Sequence, residues 1–215
     1  DDKAKVIYSD SLPVHTSLKS ERVEQDVSEW RDLLFKLLNR LAKTNLIEKI
    51  SFITSTTSSS CVFGYDKEMN PITNVLMVSD KRAIEEVSAI KSNSIFIERN
   101  SESPIYCNES SNVPKLLWFK NNEFNIFQKI KYWLGANEFL HYEFTDEIFT
   151  DSLNASKSFY SDKDNKYHED ILSDLSISLN VFPEVQPMGS SFNLGKALKG
   201  KYPFNKSCRY ILTTY

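Results

Sequence analysis

The chain has 215 residues and a formal net charge of −3, a balance that excludes a long-range pull toward nucleic acid or anionic lipid. An apolar fraction of 40%, with 14 Phe, 10 Tyr and 3 Trp, excludes wholesale disorder and supplies one substantial core. No apolar run reaches the roughly 18 residues of a membrane span, so neither nucleic acid nor membrane is an expected partner.

Asp1-Asp2-Lys3 followed by Val6-Ile7-Tyr8 reads as a hairpin turn entering a strand, which implies an earlier strand ahead of it. A helix is expected from Asp26 to Thr44: Val27, Trp30, Leu33, Leu34, Leu37, Leu38 and Leu41 form one apolar stripe, and Asp26 with Glu29 resembles a capping box. Ile47 to Ile53 reads as a strand, Thr54 to Ser60 as a polar loop, Cys61 to Tyr65 as a second strand and Asp66 to Pro71 as a turn. Val75 to Val78 is short and continuously apolar, like a strand covered on both faces, and leads into a helix ending near Lys91.

Ser92 to Val113 reads as irregular. Helices are expected from Pro114 to Asn121, Glu123 to Leu134 and Asn137 to Phe144, with Pro114 suited to a first turn. A turn at Asp162 to Asn165, a helix from Tyr167 to Leu175, a loop from Pro183 to Gly200 and a last strand at Tyr210 to Leu212 complete a single mixed α/β domain.

Chemistry is sparsely written. Five scattered glycines form no phosphate-binding loop. His15, His141 and His168 show no zinc-ligand spacing, and no metal site is expected. Cys61, Cys107 and Cys208 are few and far apart, which points to a reducing, cytoplasmic compartment.

Two places stand out. Thr54-Ser55-Thr56-Thr57-Ser58-Ser59-Ser60 sets seven hydroxyls between two strands, a row able to grip a polyol, although the residues alone read more readily as a polar hairpin loop. Asp80, with Arg82, follows a buried-type strand, where α/β proteins gather ligands; it reads equally as a helix N-cap.

These segments, in this order, resemble the FGGY family of carbohydrate kinases, in its xylulokinase and ribulokinase-like branches. Val23-Glu24-Gln25-Asp26 with Trp30 resembles the family's "VEQDPEEWW". "VLMVSDKRA" (75–83) resembles "ILWxDxRA", and "VPKLLWFK" (113–120) resembles "LPKLLWLK". Residues 126–156 and 182–194 resemble the family's "kDYLryrLTGefvTDysdAS" and "LPevvpsGtxiGxL" segments.

The resemblance implies a ribonuclease H-like, actin-like ATPase fold, a mixed sheet flanked by helices, serving as the sugar-binding lobe. It implies ATP-dependent phosphorylation of a sugar or polyol hydroxyl, with ATP and Mg2+ held by a second lobe. The family's "GxDxGT" first strand and catalytic aspartate match nothing in these residues, so residues 1–215 alone are expected to be inactive and to bind neither ATP nor Mg2+. Thr57, Ser58 and Ser59 carry over as substrate contacts and Asp80 as a hydroxyl acceptor. Arg82 orients the loop, Asp151 braces the region, and Lys115 and Trp118 are structural.

Three departures stand against the pattern. "GQxHG" is replaced by Thr57-Ser58-Ser59-Ser60-Cys61, the tryptophan before "DxR" by Val78, and the glycine of "LTGE" by Asp146. A non-catalytic sugar-binding or regulatory protein derived from such a kinase stays open as the alternative.

Overall fold

The computed structural model describes residues 5–213; the expected turn at Asp1-Asp2-Lys3 lies outside them. Val6 and Ile7 form no strand: they are 79% and 75% exposed and enter no sheet. The first strands are β1 (Ser17–Lys19) and β2 (Arg22–Gln25), an antiparallel hairpin whose turn sets Ser20 at a φ of 54°.

Helix α1 (Val27–Ala42) begins where expected, with the Asp26 side chain accepting the Ser28 N–H at 2.7 Å. Glu29 does not close a capping box. Its carboxylate accepts the His15 N–H at 3.2 Å and ties the extended segment to the helix. Ile47–Lys49 is a turn of 3-10 helix that buries Ile47 beside Leu38, and only Phe52–Ile53 of the expected strand forms β3.

Strands β4 (Val62–Tyr65) and β5 (Val75–Leu76) match expectation, as does the turn between them, where Asp66 Oδ1 accepts the N–H groups of Glu68 and Asn70. Helix α2 spans Ile84–Ser92. The stretch read as irregular contains α3 (Ser94–Glu102), capped by Asn93 Oδ1 accepting from the Ile95 and Phe96 N–H groups.

After α4 (Asn112–Asn122), the expected long helix is the short α5 (Phe124–Phe127) and then β6 (Tyr132–Gly135). The chain continues through α6 (Ala136–Thr145), β7 (Phe149–Thr150), α7 (Ser152–Ser156), β8 (Tyr160–Ser161), β9 (Lys166–Tyr167) and α8 (Glu169–Asp174). Residues 183–200, read as loop, hold β10 (Glu184–Val185), β11 (Ser191–Asn193) and the start of α9 (Lys196–Lys201), before β12 (Arg209–Ile211).

A five-stranded antiparallel sheet runs β1-β2-β5-β4-β6, and a three-stranded mixed sheet runs β11-β12-β3 with β12 parallel to β3. Alternation along β4 sends Val62 to one face and Phe63 and Tyr65 to the other. The first face packs on α2 and α4 through Leu116, Phe119 and Trp133; the second packs on α1 and α6 through Trp30 and Phe139. A third cluster, holding Leu38, Phe144, Leu198 and Tyr210, joins α1 and α9 to the smaller sheet.

Candidate functional site

The parallel pairing of β3 with β12 brings the carboxyl ends of both strands to one place, the position where α/β sheets collect ligands. The hydroxyl run leaves β3 there. Its first two members are spent on structure: the Thr54 hydroxyl meets that of Thr213, and the Ser55 hydroxyl donates to Asn137 Oδ1 at 2.7 Å and meets the Tyr210 hydroxyl at 2.5 Å. Thr213 in turn donates to the Ser55 carbonyl at 3.1 Å. The loop root is therefore fixed.

The next residues differ. The hydroxyls of Thr57, Ser58 and Ser59 make no hydrogen bond to any described residue. Thr57 and Ser58 line a cavity of about 380 Å³ whose other walls include Gln25, Trp30, Leu37 and Met77. Ser59 faces a separate polar cavity of about 10 Å³ beside Asn112, Glu138 and Asn154, where Asn112 Oδ1 has no partner. That volume is about the smallest that can admit one water.

Asp80 has no exposed surface. Its Oδ1 accepts from the Arg82 N–H at 3.2 Å and Nε at 2.8 Å; its Oδ2 accepts from the Val23 N–H at 2.8 Å and an Arg82 terminal nitrogen at 2.7 Å. Each oxygen thus has two donors, which leaves no free direction for a ligand hydroxyl. Arg82 also grips Glu24, and its guanidinium, with that of Arg22, lies over the Trp118 ring at 5.1 and 5.0 Å. Those two carboxylates hold the guanidinium charged despite burial.

Arg82 lines a different cavity, with Glu24 and Asn74. The structure therefore joins Thr57 to Ser58 and Asp80 to Arg82, and it does not place the two pairs in one cavity. Asp80 joins β2 to the turn after β5. As an acceptor for ligand it does not fit this arrangement.

Asp151 is fully buried and caps α7, Oδ1 accepting the Asn154 N–H at 3.0 Å and Oδ2 the Asn154 amide at 2.5 Å. Its link to the loop runs through Asn137, which donates weakly to Asp151 at 3.5 Å and accepts from Ser55. It touches none of Thr57, Ser58 or Ser59. Beside it, Glu138 is fully enclosed, accepting the Gly135 N–H at 2.7 Å and the Thr150 hydroxyl, and burial raises its pKa. Nothing in the sequence marked Glu138, because an acid in a helix's first turn looks like any other.

His141 is a core residue. Nδ1 meets the Phe149 carbonyl at 2.7 Å, the ring stacks on Phe149, and burial pushes its pKa down to about 4, so the ring is neutral. All three cysteines are buried and free. Among the described residues no three His, Cys, Asp or Glu side chains converge on a point that a metal would occupy. Among the described residues no helix is long and apolar enough to cross a membrane.

The N-terminal domain model of the FGGY family of carbohydrate kinases matches residues 1–198. The chain belongs to that family. It is 25% identical over 185 residues to the xylulose kinase of Staphylococcus xylosus, covering 84% of this chain and 38% of that protein. This FGGY chain thus spans well under half the length of that relative.

Among solved structures it is similar to a gluconate kinase from Lactobacillus acidophilus, with a TM-score of 0.84 at 19% identity over 99% of this chain and 43% of that one. It is also similar to a ligand-bound xylulose kinase from the same organism, with a TM-score of 0.81 at 18% identity over 94% and 41%. The glycerol kinase of Plasmodium falciparum, solved with ADP, matches with a TM-score of 0.80 at 22% identity over 96% and 44%. These likenesses establish the fold of this FGGY chain as ribonuclease H-like, of the actin-like ATPase type.

Proposed function

We propose that this chain is the sugar-binding lobe of an ATP-dependent carbohydrate kinase, with Thr57 and Ser58 as its hydroxyl-contacting residues; Ser59, expected to join them, faces the separate small cavity beside Asn112. The observation that carries the reading is the state of the loop. Its root is locked at the carboxyl ends of two parallel strands, and the hydroxyls of Thr57 and Ser58 are unspent and line one cavity. A hydroxyl both donates and accepts, so two of them on a fixed root match neighbouring hydroxyls of a polyol. Asp80 and Arg82 set the neighbouring turn, and Asp151 braces the loop through Asn137. ATP and Mg2+ belong to a second lobe that closes over this one.

A preceding strand fits the same reading. β3 ends its sheet, and Phe52 is 68% exposed there. The alternative, a sugar-binding protein without kinase activity, draws on Val78, a 46% exposed valine where stacking against a sugar calls for an aromatic ring.

Two measurements test the proposal. Calorimetry with xylulose, gluconate and glycerol reads binding by this chain. An ATP-coupled assay of the protein in its full natural length reads transfer. Binding with transfer supports the kinase, and binding without transfer supports the alternative. Heatless titrations with all three, in chain and full protein alike, contradict both.

A further inference from the structure

Lys115, alone among the described lysines, is fully buried. It sits in the first turn of α4, and its ammonium donates to the Ser60 carbonyl at 2.8 Å and the Met77 carbonyl at 2.9 Å. Ser60 closes the hydroxyl run. Met77 opens the turn that carries Asp80, and its carbonyl also accepts the Asp80 N–H at 3.0 Å.

The geometry explains why a cation stands there. β4 and β5 are paired only through Val62 and Leu76. Just beyond that pair the strands part toward their separate loops, and the Ser60 carbonyl, which a longer ladder would satisfy, needs another donor, while the Met77 carbonyl takes the ammonium as a second donor beside the Asp80 N–H. One ammonium serves both.

Resting on the sugar-site reading above, we propose that Lys115 is a positioning residue: it clamps the roots of the hydroxyl loop and of the Met77–Arg82 turn to one point on α4, setting the two loops in register. A methionine would fill the same slot without the cost of burying a charge but would leave the Ser60 carbonyl without a donor; the lysine's pKa is drawn down to about 8, chiefly by desolvation. Asp80 and Cys61 oppose that shift and Arg82 adds to it; these are the charged and titratable groups that face the ammonium.

Amide hydrogen exchange tests the clamp. In Lys115→Met, exchange should quicken about tenfold or more in residues 54–60 and 77–82 together, the loss expected for two charge-assisted hydrogen bonds, while β8 and β9 keep their protection. Leu116→Ala, which opens the core beside the next residue of α4 without touching either carbonyl, serves as the control once its melting temperature is matched with denaturant. Loosening of one loop only, of neither, or of both equally in the control overturns the proposal.

The wild-type chain gives a second reading if the methionine variant does not fold. The carbonyl 13C shifts of Ser60 and Met77 should titrate with the midpoint of the Lys115 side chain, and separate midpoints overturn the clamp. If the clamp holds and xylulose, gluconate and glycerol all leave Thr57–Ser59 unperturbed, the sugar-site reading falls, and the positioning role falls with it.

Discussion

Asp80 and Glu138 are both buried acids, and their partners decide what each does. Asp80 faces a guanidinium and two main-chain N–H donors, so its charge is matched. Asp80→Asn strands Arg82 with only Glu24, and about 3–5 kcal/mol of stability should be lost in urea unfolding. A loss within about 0.5 kcal/mol would show the network to be incidental. Glu138 has only a hydroxyl and one N–H, and its pKa is raised above 4.5 by burial. A raised carboxyl makes the folded state bind more protons than the unfolded one. Its contribution is full below pH 4.5 and is lost as pH rises through the folded value. Glu138→Gln should remove that decline from the stability profile. A mutant whose stability tracks the wild type's from pH 4.5 upward would contradict the assignment.

Elements place these residues, and one of them shows how a substitution is absorbed. Asp146 ends α6 in the left-handed region, φ 62°, where the family pattern has glycine. Aspartate tolerates that region better than most residues, and here its carboxylate accepts the N–H of Lys196, the first residue of α9, at 2.8 Å. Gly195 must stay bare, because a Cβ there would come within 2.5 Å of that carboxylate. Asp146→Ala should cost about 1–2 kcal/mol, losing both the bond and the backbone tolerance, and Asp146→Gly less. Thermal melts of the pair test this, and equal losses would refute the backbone share.

The hydroxyl loop makes the opposite prediction. Thr57→Ala with Ser58→Ala should leave the melting temperature unchanged and weaken sugar binding by about tenfold, since these hydroxyls hold nothing internal. A drop in melting temperature would show them to be structural.

What the chain's pattern discloses varies by element for physical reasons. The stripe of α1 is legible because one face meets core and the other meets solvent. β6 reads as helix because Trp133 and Leu134 are buried on opposite faces of the sheet and run without a break into α6. α3 stays hidden behind Arg99, Asn100 and Ser101, its core side chains confined to the first turn. The site divides in the same way. A row of seven hydroxyls is visible in composition alone, whereas the roles of Asp80 and Lys115 depend on which carbonyls and cations lie across the fold.

At the scale of the whole molecule, the helix-flanked sheets set one loop at the mouth of a parallel strand pair and anchor it from three sides, through Thr213, Asn137 and Lys115. A loop so anchored changes little on binding, and a ligand reports its own position through the amides it touches. The most direct test is amide chemical-shift mapping of the 215-residue chain during titration with xylulose, gluconate and glycerol. At least one of them should shift residues 56–60 first and most, with smaller changes at 77–80 and none in β8 or β9. Shifts centred on the open cavity between β9 and α8, or no shifts with any of the three, would contradict the placement of a sugar site on this loop.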